Sequence, residues 1–210
     1  MTHTLHRQGS EESLAGDFTI LAMPSSGLNS AGSLPKLAKA LDIFLKYDPV
    51  NIGDSKGGSR FSLGSDEAVK GILVDNELVH AVYRTKEQLV NVLVDLKDAD
   101  LGLSVTIGGL VGSLEDCCSR ASVKPHTIVQ SLGVMGKMEK LPDSGVLEVA
   151  TMCGHHLVSF DLIRYLARKV AKGKLSAEKA GKKLAKCCIC GVFNPARAAE
   201  IIEEIAARSV

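Results

Sequence analysis

Asp17-Phe18-Thr19-Ile20-Leu21-Ala22-Met23 is the first strongly apolar run of the chain. It is too short for a helix, rich in β-formers, and bounded by Pro24-Ser25-Ser26-Gly27-Leu28-Asn29, whose composition is that of a loop. It reads as a short, strongly apolar strand. Downstream, Ser33 stands where a helix to about Lys46 would be capped, with Leu34, Leu37, Ala38, Leu41, Phe44 and Leu45 at helical spacing and Pro35 in the first turn. Pro49 to Gly64 reads as one long loop. Gly71–Val74 and Glu77–Tyr83 flank Asp75-Asn76 as a hairpin, and Thr85 caps a helix to about Lys97. Leu103–Ile107 reads as a buried strand ending at Gly108-Gly109, followed by a helix over about Leu110–Ala121 and strands over His126–Val134 and Val146–Thr151.

Beyond residue 152 the pattern turns helical. Ser159 opens a helix to about Lys172 that ends at Gly173. Ser176 opens another to about Lys186, and Asn194 with Pro195 opens the last. Alternating strands and helices followed by helices alone predict an α/β fold, with a layered, at least partly parallel sheet and a helical C-terminal extension. The expected division is a flexible tail over 1–16, an α/β domain over 17–152 and a helical cysteine-bearing region over 153–210.

The chain has 210 residues, 45% hydrophobic and 23% charged, which suits an ordinary folded domain and excludes wholesale disorder. Lys and Arg number 25 against 24 acids, so net charge names no partner, and 4% aromatics without Trp argue against stacking platforms for single-stranded nucleic acid. Met1–Ser13 is polar, unlike a secretory signal, and no run approaches the roughly eighteen apolar residues of a membrane span. A cytoplasmic protein without a membrane partner is the expectation. There the six cysteines stay reduced and serve as core, ligands or catalytic groups.

Cys117 and Cys118 fall on the apolar side of their helix and read as core. Met152-Cys153-Gly154-His155-His156 and Cys187-Cys188-Ile189-Cys190-Gly191 read differently. Cys153, His155, Cys187 and Cys190 form C-x-H and C-x-x-C elements far apart in the chain, a ligand count that suits a tetrahedral Cys3His zinc site. With Cys188 as the fourth ligand the same set suits an iron–sulfur cluster, and the number of thiols places that reading ahead of zinc. A dithiol redox pair is the weaker reading, because this C-x-x-C trails a helix near the C-terminus instead of opening one. A thiol enzyme with Cys153 as nucleophile and His155 as base is a separate alternative.

Two further features carry chemistry. Between Arg164 and Lys186 nine basic residues stand against one acid, Glu178, a surface for an anionic ligand or an acidic protein, with nucleic acid less favoured. Gly108-Gly109, at a strand-to-helix junction, has the setting in which backbone N–H groups cradle a phosphate-bearing cofactor, although it matches no established glycine motif. His80 and His126 read as structural.

Overall fold

The computed structural model describes residues 4–208. Its centre is a five-stranded sheet built from β1 (Phe18–Met23), β2 (Asn51–Asp54), β3 (Gly58–Ser59), β4 (Val79–Tyr83) and β5 (Ser104–Gly108). The strand order is β3-β2-β4-β1-β5, and every neighbouring pair is antiparallel. The expected parallel pairing is therefore corrected. β1 and β2, joined through the helix α2 (Leu34–Leu45), do run in one direction, but β4 lies between them. β4 and β5, joined through α5 (Lys86–Ala99), also run alike, with β1 between them. Two interlocked split βαβ units thus turn strand–helix alternation into an antiparallel sheet, a topology termed ferredoxin-like that by itself carries no function.

β4, and β1 up to its last residue, are buried on both faces. Phe18, Ile20, Ala22, Val79, Ala81 and Tyr83 pack with α2 and α5 in one core. Thr19 and Leu21, with their pleat partners His80 and Val82, are also buried, on the other face. The stretch expected as a loop over Pro49–Gly64 supplies β2, β3 and the short helix α3 (Arg60–Leu63); α4 (Asp66–Gly71) ends where the first arm of the expected hairpin should begin, and 72–74 form no strand. Ser33 does not cap α2. The Asp75 carboxylate accepts the N–H groups of Gly32 and Leu34 instead, at 3.0 and 2.7 Å. α6 (Val111–Arg120) follows β5.

Two further expected strands are absent. His126–Val134 has no regular structure and is exposed. Val146–Thr151 lies in α7 (Ser144–Thr151), where Val146, Val149 and Ala150 are buried at helical spacing and Asp143 caps the Val146 N–H at 3.1 Å. The valine-rich composition imitates a strand, but a cap and a one-sided apolar stripe decide for helix.

The C-terminal helices α8 (Phe160–Ala171), α9 (Ala177–Ala185) and α10 (Pro195–Ala207) pack with α7 around a second core. Gly181 permits the close crossing of α9 and α10, since a Cβ there would stand 2.2 Å from the Pro195 carbonyl oxygen. The segment ahead of β1, expected as a tail, includes the one-turn α1 (Glu11–Leu14) and joins the two cores. Arg7 pairs with buried Asp17 and donates to the Val192 carbonyl, and the Gln8 N–H donates to Thr151 at 3.0 Å. Among the described residues no helix is long and apolar enough to cross a membrane.

Candidate functional site

The Cys153 loop follows from how α7 ends. Cys153 N–H bonds the Ala150 carbonyl at 3.2 Å, His156 N–H bonds the Cys153 carbonyl at 3.0 Å, and His156 takes a left-handed φ of 55°. This tight turn brings the backbone N–H groups of His155 and Leu157 onto the Cys153 sulfur. The second loop follows from how α9 ends. Cys187 and Cys188 close its last turn, Gly191 reverses the chain at φ 78°, and Asn194 caps α10 by accepting the Arg197 N–H at 3.0 Å.

Behind that second loop stands the sheet. A Cβ on Gly53 of β2 would lie 2.6 Å from the Cys190 carbonyl oxygen, and one on Gly191 would lie 2.6 Å from the Ile52 carbonyl carbon. Asn51 donates to the Phe193 carbonyl at 2.9 Å. Backbone thus packs against backbone, with two glycines making room, and the cysteine loop takes its position from β2. Below it, Asp17 holds Arg197 at 3.0 Å and also pairs with Arg7, all three buried. Burial alone would raise the Asp17 carboxyl, but the two guanidiniums hold it below the ordinary value.

The two loops bring Cys153, Cys188, Cys190 and His155 together. Cys188 neighbours Cys153 closely enough to shift its thiol, and the Cys188 sulfur lies 3.8 Å from that of Cys190. Cys190 Sγ lies 3.8 Å from His155 Nδ1. The three sulfur-bearing residues are buried, whereas His155 is exposed and closes the group from the solvent side. Cys187 is turned away, its sulfur 3.9 Å from the Lys183 carbonyl at the lip of the site. Of the run Cys187-Cys188-Ile189-Cys190, the second and third cysteines therefore face the centre and the first does not. The hydrogen bond from Cys188, opposed by burial and reinforced by the Leu157 and His155 N–H groups, lowers the Cys153 thiol well below its usual range. Cys188 is pushed up by its contacts with Cys153 and Cys190 and by burial, and burial and the Cys153 charge raise Cys187.

Cys117 belongs to the sheet core, with its sulfur 3.9 Å from the Lys86 carbonyl, so it does not join this group. Gly108 and Gly109 lie at the β5 edge and likewise stay apart from it. A Cβ on Gly109 would meet the Phe18 ring at 3.2 Å. Among the described residues, no group of three or more His, Cys, Asp or Glu stands in positions that could hold a metal ion as the side chains lie. Sequence reasoning missed Gly53, Asn51 and Arg7, none of which carries a local signal, whereas Gly191, trailing the cysteine run, was readable as a turn. Compared with protein families, curated proteins and solved structures, the chain matches none, so the geometry alone supports a functional reading.

Proposed function

We propose that the chain binds a metal centre through Cys153, Cys188 and Cys190, with His155 as the fourth ligand. The observation that carries this is the meeting of the two loops, where Cys190 stands 3.8 Å from both Cys188 and His155 and Cys153 is the neighbour of Cys188. Two thiolates on one tetrahedral zinc, each at about 2.3 Å, stand about 3.8 Å from one another, so the Cys188–Cys190 spacing suits a single ion of the zinc class, with the side chains rearranging to close the shell. The N–H groups aimed at Cys153 favour its thiolate, the form a ligand takes. Full burial of Cys153 speaks against the nucleophile reading, because a nucleophile must meet its substrate, whereas an ion is enclosed. An iron–sulfur cluster remains the second occupant of the same thiols, with Cys187 within reach as a further sulfur.

The test is elemental analysis and an absorption spectrum on anaerobically purified protein, repeated on Cys153→Ala, Cys188→Ala and Cys117→Ala. A colourless zinc protein that loses its metal in the first two variants and keeps it in the third is expected. Broad visible absorption would assign iron–sulfur, and metal-free wild type purified under reducing conditions overturns the reading.

A second observation concerns partners. Lys169 stands over the Tyr165 ring at 4.6 Å and Lys183 influences the same phenol, so the basic outer faces of α8 and α9 adjoin and reach the lip at Cys187. We propose that this face docks an acidic protein partner beside the centre, within a reducing, cytoplasmic setting. Lys183→Glu with Lys186→Glu should abolish salt-sensitive binding of poly-L-glutamate without changing metal content. Equal binding by wild type and variant would sink it.

A further inference from the structure

The Gly108-Gly109 junction takes no part in the thiol site, but it opens onto a cleft of about 1030 Å³. The cleft runs along the outer edge of β5, and residues 123–131 form its far wall. Small-molecule sites span roughly 300–1,000 Å³ and are mostly apolar with a few placed polar groups. This one is lined by Leu93, Leu103, Ile107, Leu110 and, from the far wall, Ile128 and Val129. Ile128 and Val129 are 56% and 62% exposed, apolar surface that nothing within the described residues covers.

Two independent polar features lie at the junction end. Thr19 lines the cleft and is 1% exposed, yet its hydroxyl has no hydrogen-bond partner among the described residues. It sits against Gly108, where a Cβ would stand 2.6 Å from Thr19 Oγ1. A buried hydroxyl without a partner is costly and points to a ligand that supplies one. The second feature is the start of α6, a ten-residue helix whose Leu110 N-cap provides no side-chain acceptor and whose first turn holds no acid. Its leading N–H groups and positive dipole end are therefore open to an anion, and Val111 lines the cleft. The charged side chains around the cleft balance, Lys97 and Lys124 against Asp100 and Glu115, while Arg7 is committed to Asp17. Any preference for an anion thus comes from the helix terminus.

We propose that this cleft binds one long-chain amphiphile with an anionic head, a carboxylate or phosphate. The head oxygens take the N–H groups at the start of α6 and the Thr19 hydroxyl, and the chain lies between the β5 edge and Ile128–Val129. The site is separate from the thiol group and does not depend on it.

The experiment is calorimetric titration of the full chain with dodecanoate, dodecyl phosphate and dodecanol, each below its micelle concentration, alongside phosphatidylglycerol vesicles. One molecule per chain is expected, with both anions about tenfold tighter than the alcohol, the gain of one charge-assisted hydrogen bond. Val111→Pro removes one of the open N–H groups without disturbing the helix. Leu110 already has φ −66° and ψ 131°, as a residue before proline requires, and proline is favoured at the first helical position. It should erase the anion preference and leave dodecanol binding intact, whereas Ile128→Asp should weaken all three ligands at an unchanged melting temperature. Lipid taken up from vesicles as a soluble complex would assign a membrane source, and binding of dodecanoate alone a free amphiphile. No saturable binding, equal affinity for alcohol and anions, or a preference that survives Val111→Pro overturns the proposal. So does adsorption to vesicles without binding of any monomeric amphiphile.

Discussion

Cys117 in the sheet half and Cys153 in the helical half are equally excluded from solvent, yet their surroundings push the two thiols in opposite directions. Around Cys117 the nearest polar atom is the Lys86 carbonyl, an acceptor that keeps the thiol protonated, and burial pushes its pKa up. Around Cys153 the neighbours are donors, one thiol and two backbone N–H groups, and its pKa falls. Burial alone therefore does not distinguish a core cysteine from a ligand. What distinguishes them is whether the surrounding backbone offers hydrogens to the sulfur, which here is a property of the tight turn after α7.

The comparison breaks most forcefully where the two halves share charge. Asp17 faces Arg7 and Arg197 in the interior, and removing it leaves two buried cations without their common partner. Asp17→Asn should cost about 3–5 kcal/mol, the usual penalty for breaking a buried pair, measured by urea denaturation, and it should loosen the cysteine loop through Arg7 and Val192. Acid should reproduce part of this loss. The folded Asp17 pKa lies below the ordinary 3.8, so its contribution is complete above that value and disappears as pH falls through the lowered one. Melting temperature followed downward from pH 5 should drop more steeply in wild type than in Asp17→Asn. Equal slopes would remove Asp17 from the acid response. A smaller effect is expected at the joint itself. Gly191→Ala places a Cβ against Ile52 at a left-handed φ, a strain of about 1–3 kcal/mol, and should reduce metal retention before it unfolds the sheet half.

Several elements are legible in the sequence because their causes are local. β1 announces itself by composition, and α5, α8 and α10 by caps followed by apolar stripes. The sense of the sheet is not legible, because nothing in β1 or α2 encodes that β4 will insert between β1 and β2. Val146–Thr151 shows how valine content outweighs period in a short window, when Asp143 as cap was the better guide. For the site, the residue types in the two loops were readable, but which sulfur of Cys187, Cys188 and Cys190 faces inward was not. That choice depends on where α9 ends, on Gly181 admitting α10, and on β2 pressing against Gly191, none of which leaves a mark in the cysteine spacing.

The finest test applies one substitution to both halves. Valine resembles cysteine in size and lacks only the sulfur's capacity to donate, accept or coordinate. At Cys117, inside an apolar core, Cys117→Val should change stability by no more than about 1 kcal/mol and leave metal content untouched. At Cys188 the same change removes the donor to Cys153 and the neighbour of Cys190, so Cys153 loses the largest cause of its lowered pKa. Loss of metal in Cys188→Val, with retention in Cys117→Val, would show that the helical half uses its sulfur chemically while the sheet half uses it as volume. If both variants kept full metal and equal stability, Cys188 would be packing as well, and the difference between the halves would reduce to the turn around Cys153.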